Sequence, residues 1–274
     1  MQQQPQEPLA LFDAHAHYDD ARFAQELPQG PQALLQELFD KNTVCGVCNS
    51  ASDLASARAA QALAAQYEKV VFTAGIHPHQ AQQATQQTEQ KVLSELGELL
   101  ADPKCVAIGE IGLDYHYDFS PQQEQQRWFM LQMELAAQTG KPVVIHSREA
   151  VAPTISVLHA YPSVRGILHS CSFSAECVQE CLRMGYYVSF SGSVTFRNAS
   201  GLLDAVRAVP DERLLLETDC PYLAPVPMRG KLNHSGYLQY TAQLLATARG
   251  TTPEHIAQIT RENAYAVFGL TAEC

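Results

Sequence analysis

The tightest constraint on this chain is a count. Eight short apolar runs recur along its 274 residues, at 11–17, 44–51, 70–77, 105–113, 142–146, 166–169, 186–191 and 214–218. Most are continuous rather than alternating, the pattern of strands buried on both faces in a parallel sheet. Helical periodicities lie between them. Leu34, Leu35, Leu38 and Phe39 share a face within 31–40, and an alanine-rich stretch fills 53–67. Val92, Leu93, Leu96, Leu99 and Leu100 mark a helix over 89–100. Ser120 reads as an N-cap, Pro121 as the first helical residue and Gly140 as the stop. Further helices are expected at 175–184, 199–209, 237–248 and 253–268, the last capped by Thr252 and ended by Gly269.

Strands alternating with helices leave two architectures, a closed barrel or an open doubly wound sheet. A dinucleotide-type sheet would carry a glycine-rich phosphate loop after its first strand, and this chain has none. Its polar residues also gather at the C-terminal ends of many strands instead of one crevice. The reading is an α/β protein, a (β/α)₈ TIM barrel in one domain over 9–271. The Gln-rich start, residues 1–8, reads as a disordered tail.

Composition excludes several classes. No apolar run is long enough to cross a bilayer. The segment Met1-Gln2-Gln3-Gln4-Pro5-Gln6 has neither the basic nor the apolar region of a secretory signal. Eight cysteines in such a chain imply reduced thiols and a cytoplasmic protein. Cys45 and Cys48 form a CxxC inside an apolar run with no second pair. They are read as buried small residues, as are Cys171, Cys177 and Cys181. The net charge of −11, without a block of Lys or Arg, argues against tight non-specific binding to duplex nucleic acid. A nucleic-acid substrate stays open, because bound divalent cations can place positive charge where it is needed.

The chemistry sits at the strand ends. His15 and His17 are two apart, so on a strand they face one side and form a ready two-imidazole site. Glu110 follows an apolar strand between two glycines, where a carboxylate can bridge two cations. His146 and His169 each close an apolar run. Asp219 ends the last strand, which in a closed barrel lies beside the first. There it can ligate an ion and take a proton from attacking water. Glu217 is in phase with it, and Asp114 is read as supporting the site or its loop.

His15, His17, Glu110, His146, His169 and Asp219 thus form a set of nitrogen and oxygen donors without thiolate. Such a set suits Zn²⁺, Mn²⁺, Co²⁺ or Mg²⁺. Two ions about 3.5–4 Å apart can activate water and stabilise the leaving oxygen together. With the ligands filled from this set, His77 and His79, around the turn at Pro78, are read as substrate contacts or as groups supporting the ligands from behind. Arg148 is read either as a bidentate donor to a substrate phosphate or as half of a surface ion pair.

These pieces, in this order, resemble a family. The segments Asp13-Ala14-His15-Ala16-His17, Gly75-Ile76-His77-Pro78-His79 and Ile108-Gly109-Glu110-Ile111-Gly112-Leu113-Asp114-Tyr115 are similar to those of the TatD-type metal-dependent deoxyribonucleases. So are Pro142-Val143-Val144-Ile145-His146-Ser147-Arg148, Ser191-Gly192-Ser193-Val194-Thr195-Phe196 and Leu214-Leu215-Leu216-Glu217-Thr218-Asp219-Cys220-Pro221-Tyr222-Leu223. The resemblance implies a barrel with two divalent cations. His15, His17, Glu110 and Asp219 would hold one, and Glu110, His146 and His169 the other, with Glu110 shared. It further implies hydrolysis of DNA phosphodiesters, often from a 3′ end on single strands, with Asp219 and Glu110 as catalytic groups. Two loops depart from the family pattern. Ser170-Cys171-Ser172-Phe173-Ser174-Ala175 stands where Cys-Phe-Ser-Gly is usual, and His234-Ser235-Gly236 replaces a Glu-x-Pro continuation. Two alternatives are a small-molecule amidohydrolase or phosphoesterase on the same barrel and a binding protein with a relic site. Glu110, standing where small-molecule relatives carry a carboxylated lysine, and the complete donor set speak against them.

Overall fold

The protein is described from a computed structural model over residues 8–117 and 119–271; the expected N-terminal tail, apart from Pro8, lies outside them. Eight strands form one parallel sheet in sequential order: β1 (Leu11–Ala16), β2 (Val44–Asn49), β3 (Val70–Ala74), β4 (Cys105–Asp114), β5 (Val143–Arg148), β6 (Gly166–Leu168), β7 (Tyr187–Phe190) and β8 (Leu214–Leu216). The ends meet. Ala16 bridges Cys220 in parallel, His17 N–H donates to Cys220 O at 2.8 Å, and Asp219 N–H donates to His15 O at 2.9 Å. The barrel is closed at its C-terminal mouth.

The apolar runs sort by face. Phe12, Ala14, Cys45, Cys48, Val144 and Leu215 belong to a cluster inside the barrel, against Phe268 of the last helix. The larger cluster lies between the barrel and its helices. In β5, β6 and β8 simple alternation then carries the inward face from Val144, Ile167 and Leu215 to His146, His169 and Glu217. Two strands need more than alternation. In β1, Asp13 pairs with Val47 and Ala16 with Asn49, so β1 spends one extra residue before His15. In β4, Ile108 pairs with Val143 and Ile111 with Ile145, again one extra residue, just around Glu110. Each irregularity re-aims the following side chain, as bulges do. Without them His15 and Glu110 would point towards the helices.

The helices follow expectation where the signals are strong. Those at Glu89–Leu100 and Pro253–Phe268 have the expected bounds, and Thr252 caps the latter by accepting from His255 N–H. Gly140 and Gly269 end their helices at φ 71 and φ 65. One start is shifted. The helix Gln122–Thr139 begins after Pro121, and Ser120 does not cap it. Ser120 Oγ donates to His79 O and accepts from Gln82 N–H, pinning the loop after β3 to the loop after β4. Helices at Ala21–Glu26, Ala81–Thr85 and Val151–Ala160 were not expected from the sequence. No helix among the described residues is long and apolar enough to cross a membrane.

Gly112 marks where backbone crowding is greatest near the mouth. Its φ is 136°, and a Cβ placed on it would stand 2.0 Å from His146 O. Gly97 has open space around it, inside a helix. We expect Gly112→Ala to cost about 4 kcal/mol or more, through both strain and overlap. Gly97→Ala should instead stabilise by up to about 1 kcal/mol. Thermal unfolding of the pair checks this, and equal midpoints would contradict the close approach.

Candidate metal centre at the barrel mouth

Glu110 stands at the middle of the mouth, 3% exposed, with its two oxygens facing different imidazoles. Oε2 lies 3.2 Å from His15 Nε2 and 3.7 Å from His17 Nε2. Oε1 lies 2.8 Å from His146 Nδ1, 3.0 Å from His169 Nε2 and 3.3 Å from His77 Nε2. Asp219 joins the first side, its Oδ1 3.3 Å from His17 Nε2 and 3.7 Å from His15 Nε2. The six residues singled out as ligands from the sequence are therefore gathered around one carboxylate. β8 itself stops at Leu216, and Asp219 reaches the site from a left-handed turn at φ 57.

The outward nitrogen of each ring reveals what the inward one presents. His17 Nδ1 faces Ser50 O at 2.9 Å, and a carbonyl only accepts, so Nδ1 carries a proton and, in the neutral ring, Nε2 is the atom left to bind a cation. His169 Nδ1 donates to Glu217 Oε1 at 3.0 Å, and His146 Nε2 donates to Asp114 Oδ2 at 3.1 Å. In the neutral rings their inward nitrogens would then present lone pairs to a carboxylate oxygen. His146 Nδ1 is buried without a properly directed hydrogen-bond partner. Lone pairs facing an anion repel unless a cation lies among them. Carboxylate or carbonyl oxygens on the far nitrogen are also what orient metal-binding imidazoles. Three groups of three donors bring their ligand atoms close together: His15, His17 and Glu110; His77, Glu110 and His146; and His15, His169 and Glu217. The residues present fit divalent cations, held by N and O donors.

His77 differs from its neighbours. Its Nδ1 accepts from His79 N–H at 3.1 Å, which places the ring proton on Nε2, towards Glu110. Burial pushes this imidazole down to about 4, so it is a neutral N–H donor at ordinary pH. The His79 ring instead bonds Asp114, its Nε2 2.8 Å from Asp114 Oδ2. Arg148 lies at the end of β5, exposed, with its guanidinium 4.7 Å from the centre of the Tyr117 ring.

Charge balance is severe here. Burial on its own would push the Glu110 carboxyl up, but the electrostatic pull of His169, His77 and His15 beside it outweighs burial and holds it well below the usual range. Asp219 is likewise held low despite burial, chiefly by its bond to His17. Burial works to lower His17, yet Asp219 and Glu110 raise it to about 9. Without a cation, positive charge is forced onto imidazoles.

Sequence reasoning missed the latch beneath the site. The buried Asp13 carboxylate accepts from Thr218 N–H at 2.9 Å, Thr218 Oγ at 2.6 Å and Ser235 Oγ at 2.6 Å. Asn233 Nδ2 donates to Thr218 O at 2.9 Å. These bonds hold the 218–219 turn against β1, and so set Asp219 beside His15. The only sequence signal was an acid in a fully apolar strand. The departing segment His234-Ser235-Gly236 takes part in this latch through Ser235. The CxxC cysteines, Cys45 and Cys48, are buried and form no disulfide.

Residues 12–269 match the family described as TatD related DNase. An uncharacterised metal-dependent hydrolase of Bacillus subtilis, YabD, is 37% identical over 260 residues, covering 94% of this chain and 98% of that protein. The 3′-5′ ssDNA/RNA exonuclease TatD of Shigella flexneri is 32% identical over 267 residues, covering 95% and 99%. The crystal structure of YJJV, a TatD homologue from Escherichia coli K12, superposes with a TM-score of 0.85 at 26% identity, over 96% of this chain and all of that one.

Proposed function

This chain belongs to the TatD related DNase family of metal-dependent hydrolases, and with that as premise we propose that it cleaves phosphodiester bonds of single-stranded DNA from the 3′ end, using two divalent cations. The observation that carries the reading is Glu110, whose two oxygens face two separate imidazole groups. His15, His17, Glu110 and Asp219 would hold one ion, and Glu110, His146 and His169 the other. Mg²⁺, Mn²⁺, Zn²⁺ and Co²⁺ all suit these donors. When bound, the ions would supply the charge that polarises the phosphodiester and eases deprotonation of water.

The protein's own groups do the rest. Asp219, 17% exposed at its side chain, is the carboxylate open to the mouth. It takes the proton from the attacking water. Asp114 and Glu217 fix the rings of His146 and His169. His77 offers a neutral N–H on the inner wall, suited to a non-bridging phosphate oxygen. A strand end suits this chain, since a net charge of −11 with no block of Lys or Arg in the sequence disfavours broad contact with a duplex. Its free thiols suit the reducing cytoplasm. The 3′-5′ exonuclease relative at 32% identity supports the same polarity.

One preparation decides the matter. Metal content by atomic emission should be about two divalent ions per chain, a stoichiometry taken from the two-metal scheme. Chelator should abolish release of nucleotides from a 5′-labelled single strand, and Mg²⁺, Mn²⁺ or Co²⁺ should restore it. Metal-loaded protein that leaves the strand intact, yet turns over lactones or phosphotriesters, would overturn the nuclease assignment.

A further inference from the structure

The loop after β4 carries two aromatic rings that core packing does not require. Phe119 is 62% exposed and Tyr117 41%. Their rings are stacked, 5.3 Å between centroids at 20°. Large apolar faces held in water have a solvation cost unless something covers them. The pair is fixed to the site from behind. The His79 ring stands edge-on to both, 5.7 Å from Tyr117 and 4.9 Å from Phe119. His79 and His146 share Asp114 Oδ2. One imidazole therefore separates the aromatic pair from a candidate ligand ring.

The cation beside them is available. Arg148 lies over Tyr117, and among the described residues no carboxylate pairs with it. The adjacent acid, Glu149, is taken by His116 at 2.6 Å. An exposed aromatic pair, with Phe119 the more open ring and a guanidinium lying over Tyr117, complements a flat ring that carries a phosphate.

We propose that Tyr117 and Phe119 form a stacking subsite for the base next to the cleaved linkage, with Arg148 contacting the phosphate on its far side. The proposal rests on the nucleic-acid reading above and deepens it. Stacking accepts every base, because every base has a π-face. It favours an unpaired one, because a paired base must first give up its pairing and stacking in the duplex. The subsite thus gives a net-acidic protein its preference for single-stranded ends without a basic surface.

The test compares wild type with the double variant Tyr117→Ala/Phe119→Ala. Both side chains are exposed, so the variant should unfold at the wild-type temperature. Two substrates are used, one single strand with a normal 3′-terminal nucleotide and one with an abasic 3′ end. We expect the variant to lose about 5- to 100-fold in kcat/KM on the normal strand, the usual range for one base–aromatic stack. On the abasic strand it should match wild type. A 2-aminopurine at the 3′ end of a phosphorothioate-protected strand should be quenched on binding wild type and stay bright with the variant. Undiminished cleavage of the normal strand, or an equal loss on both strands, would remove the subsite while leaving the nuclease intact. A wild type that cleaves neither strand would instead remove the nuclease reading, and the subsite with it.

Discussion

Glu110→Gln is expected to lower kcat/KM on a single-stranded oligonucleotide by at least about 10⁴-fold, roughly 5 kcal/mol of transition-state stabilisation. The substitution keeps shape and removes only charge. Glutamine has one oxygen where Glu110 has two, and its NH₂ would point hydrogen atoms at imidazoles on one side. Either Oε1, with His146 at 2.8 Å and His169 at 3.0 Å, or Oε2, with His15 at 3.2 Å, loses its anion. A shared ligand cannot be half removed, so both ions should weaken together. Metal content should fall below one per chain, and the unfolding temperature in chelator should fall too, because the imidazoles that hold the Glu110 carboxyl well below its usual range lose their partner. Full metal content and full activity in the variant would show that Glu110 does not join two ions.

Which parts of this were legible in the sequence follows from which interactions are local. The eight runs were visible because strands buried on both faces leave continuous apolar stretches. Their ends were not. The run at 70–77 stays buried through Ile76, but β3 stops at Ala74, where the ladder gives out and the chain turns into the mouth. The helix Val151–Ala160, absent from the expected set, holds Pro153 in its first turn, where the missing N–H does no harm. Ser120 and Pro121 carried a cap signal that tertiary structure used differently, as a clamp between loops.

The donor set was legible as residue types at strand ends. The reason it converges was not. Alternation explains His146, His169 and Glu217, but His15 and Glu110 depend on extra residues in β1 and β4 that no local pattern announces. The Asp13 latch joins groups 205 and 222 positions apart. Ser50, which sets the proton on His17, lies 33 residues away. Such bonds exist only once the barrel closes, so a reading from single runs cannot reach them. The tautomers are hidden for the same reason, since each is dictated by a partner from another strand.

The second large effect is expected at Asp219. Asp219→Asn should lower kcat about 10³-fold, within the range for losing a positioned proton acceptor, with KM changed far less. The choice of asparagine matters. The residue sits at φ 57, and asparagine shares with aspartate a tolerance for left-handed backbone. Its N–H can still donate to His15 O, and the Asp13 latch one residue earlier is untouched. The mouth should therefore keep its shape while losing the basic oxygen 3.3 Å from His17 Nε2. Asp219→Ala would add backbone strain and blur the comparison. The separation of kcat from KM is the decisive reading. A proton acceptor acts only as the water is activated, whereas a mere substrate contact would act on binding. If Asp219→Asn kept its kcat and raised KM alone, the proton would have to leave by another group, and the nearest carboxylate left at the site would be Glu110.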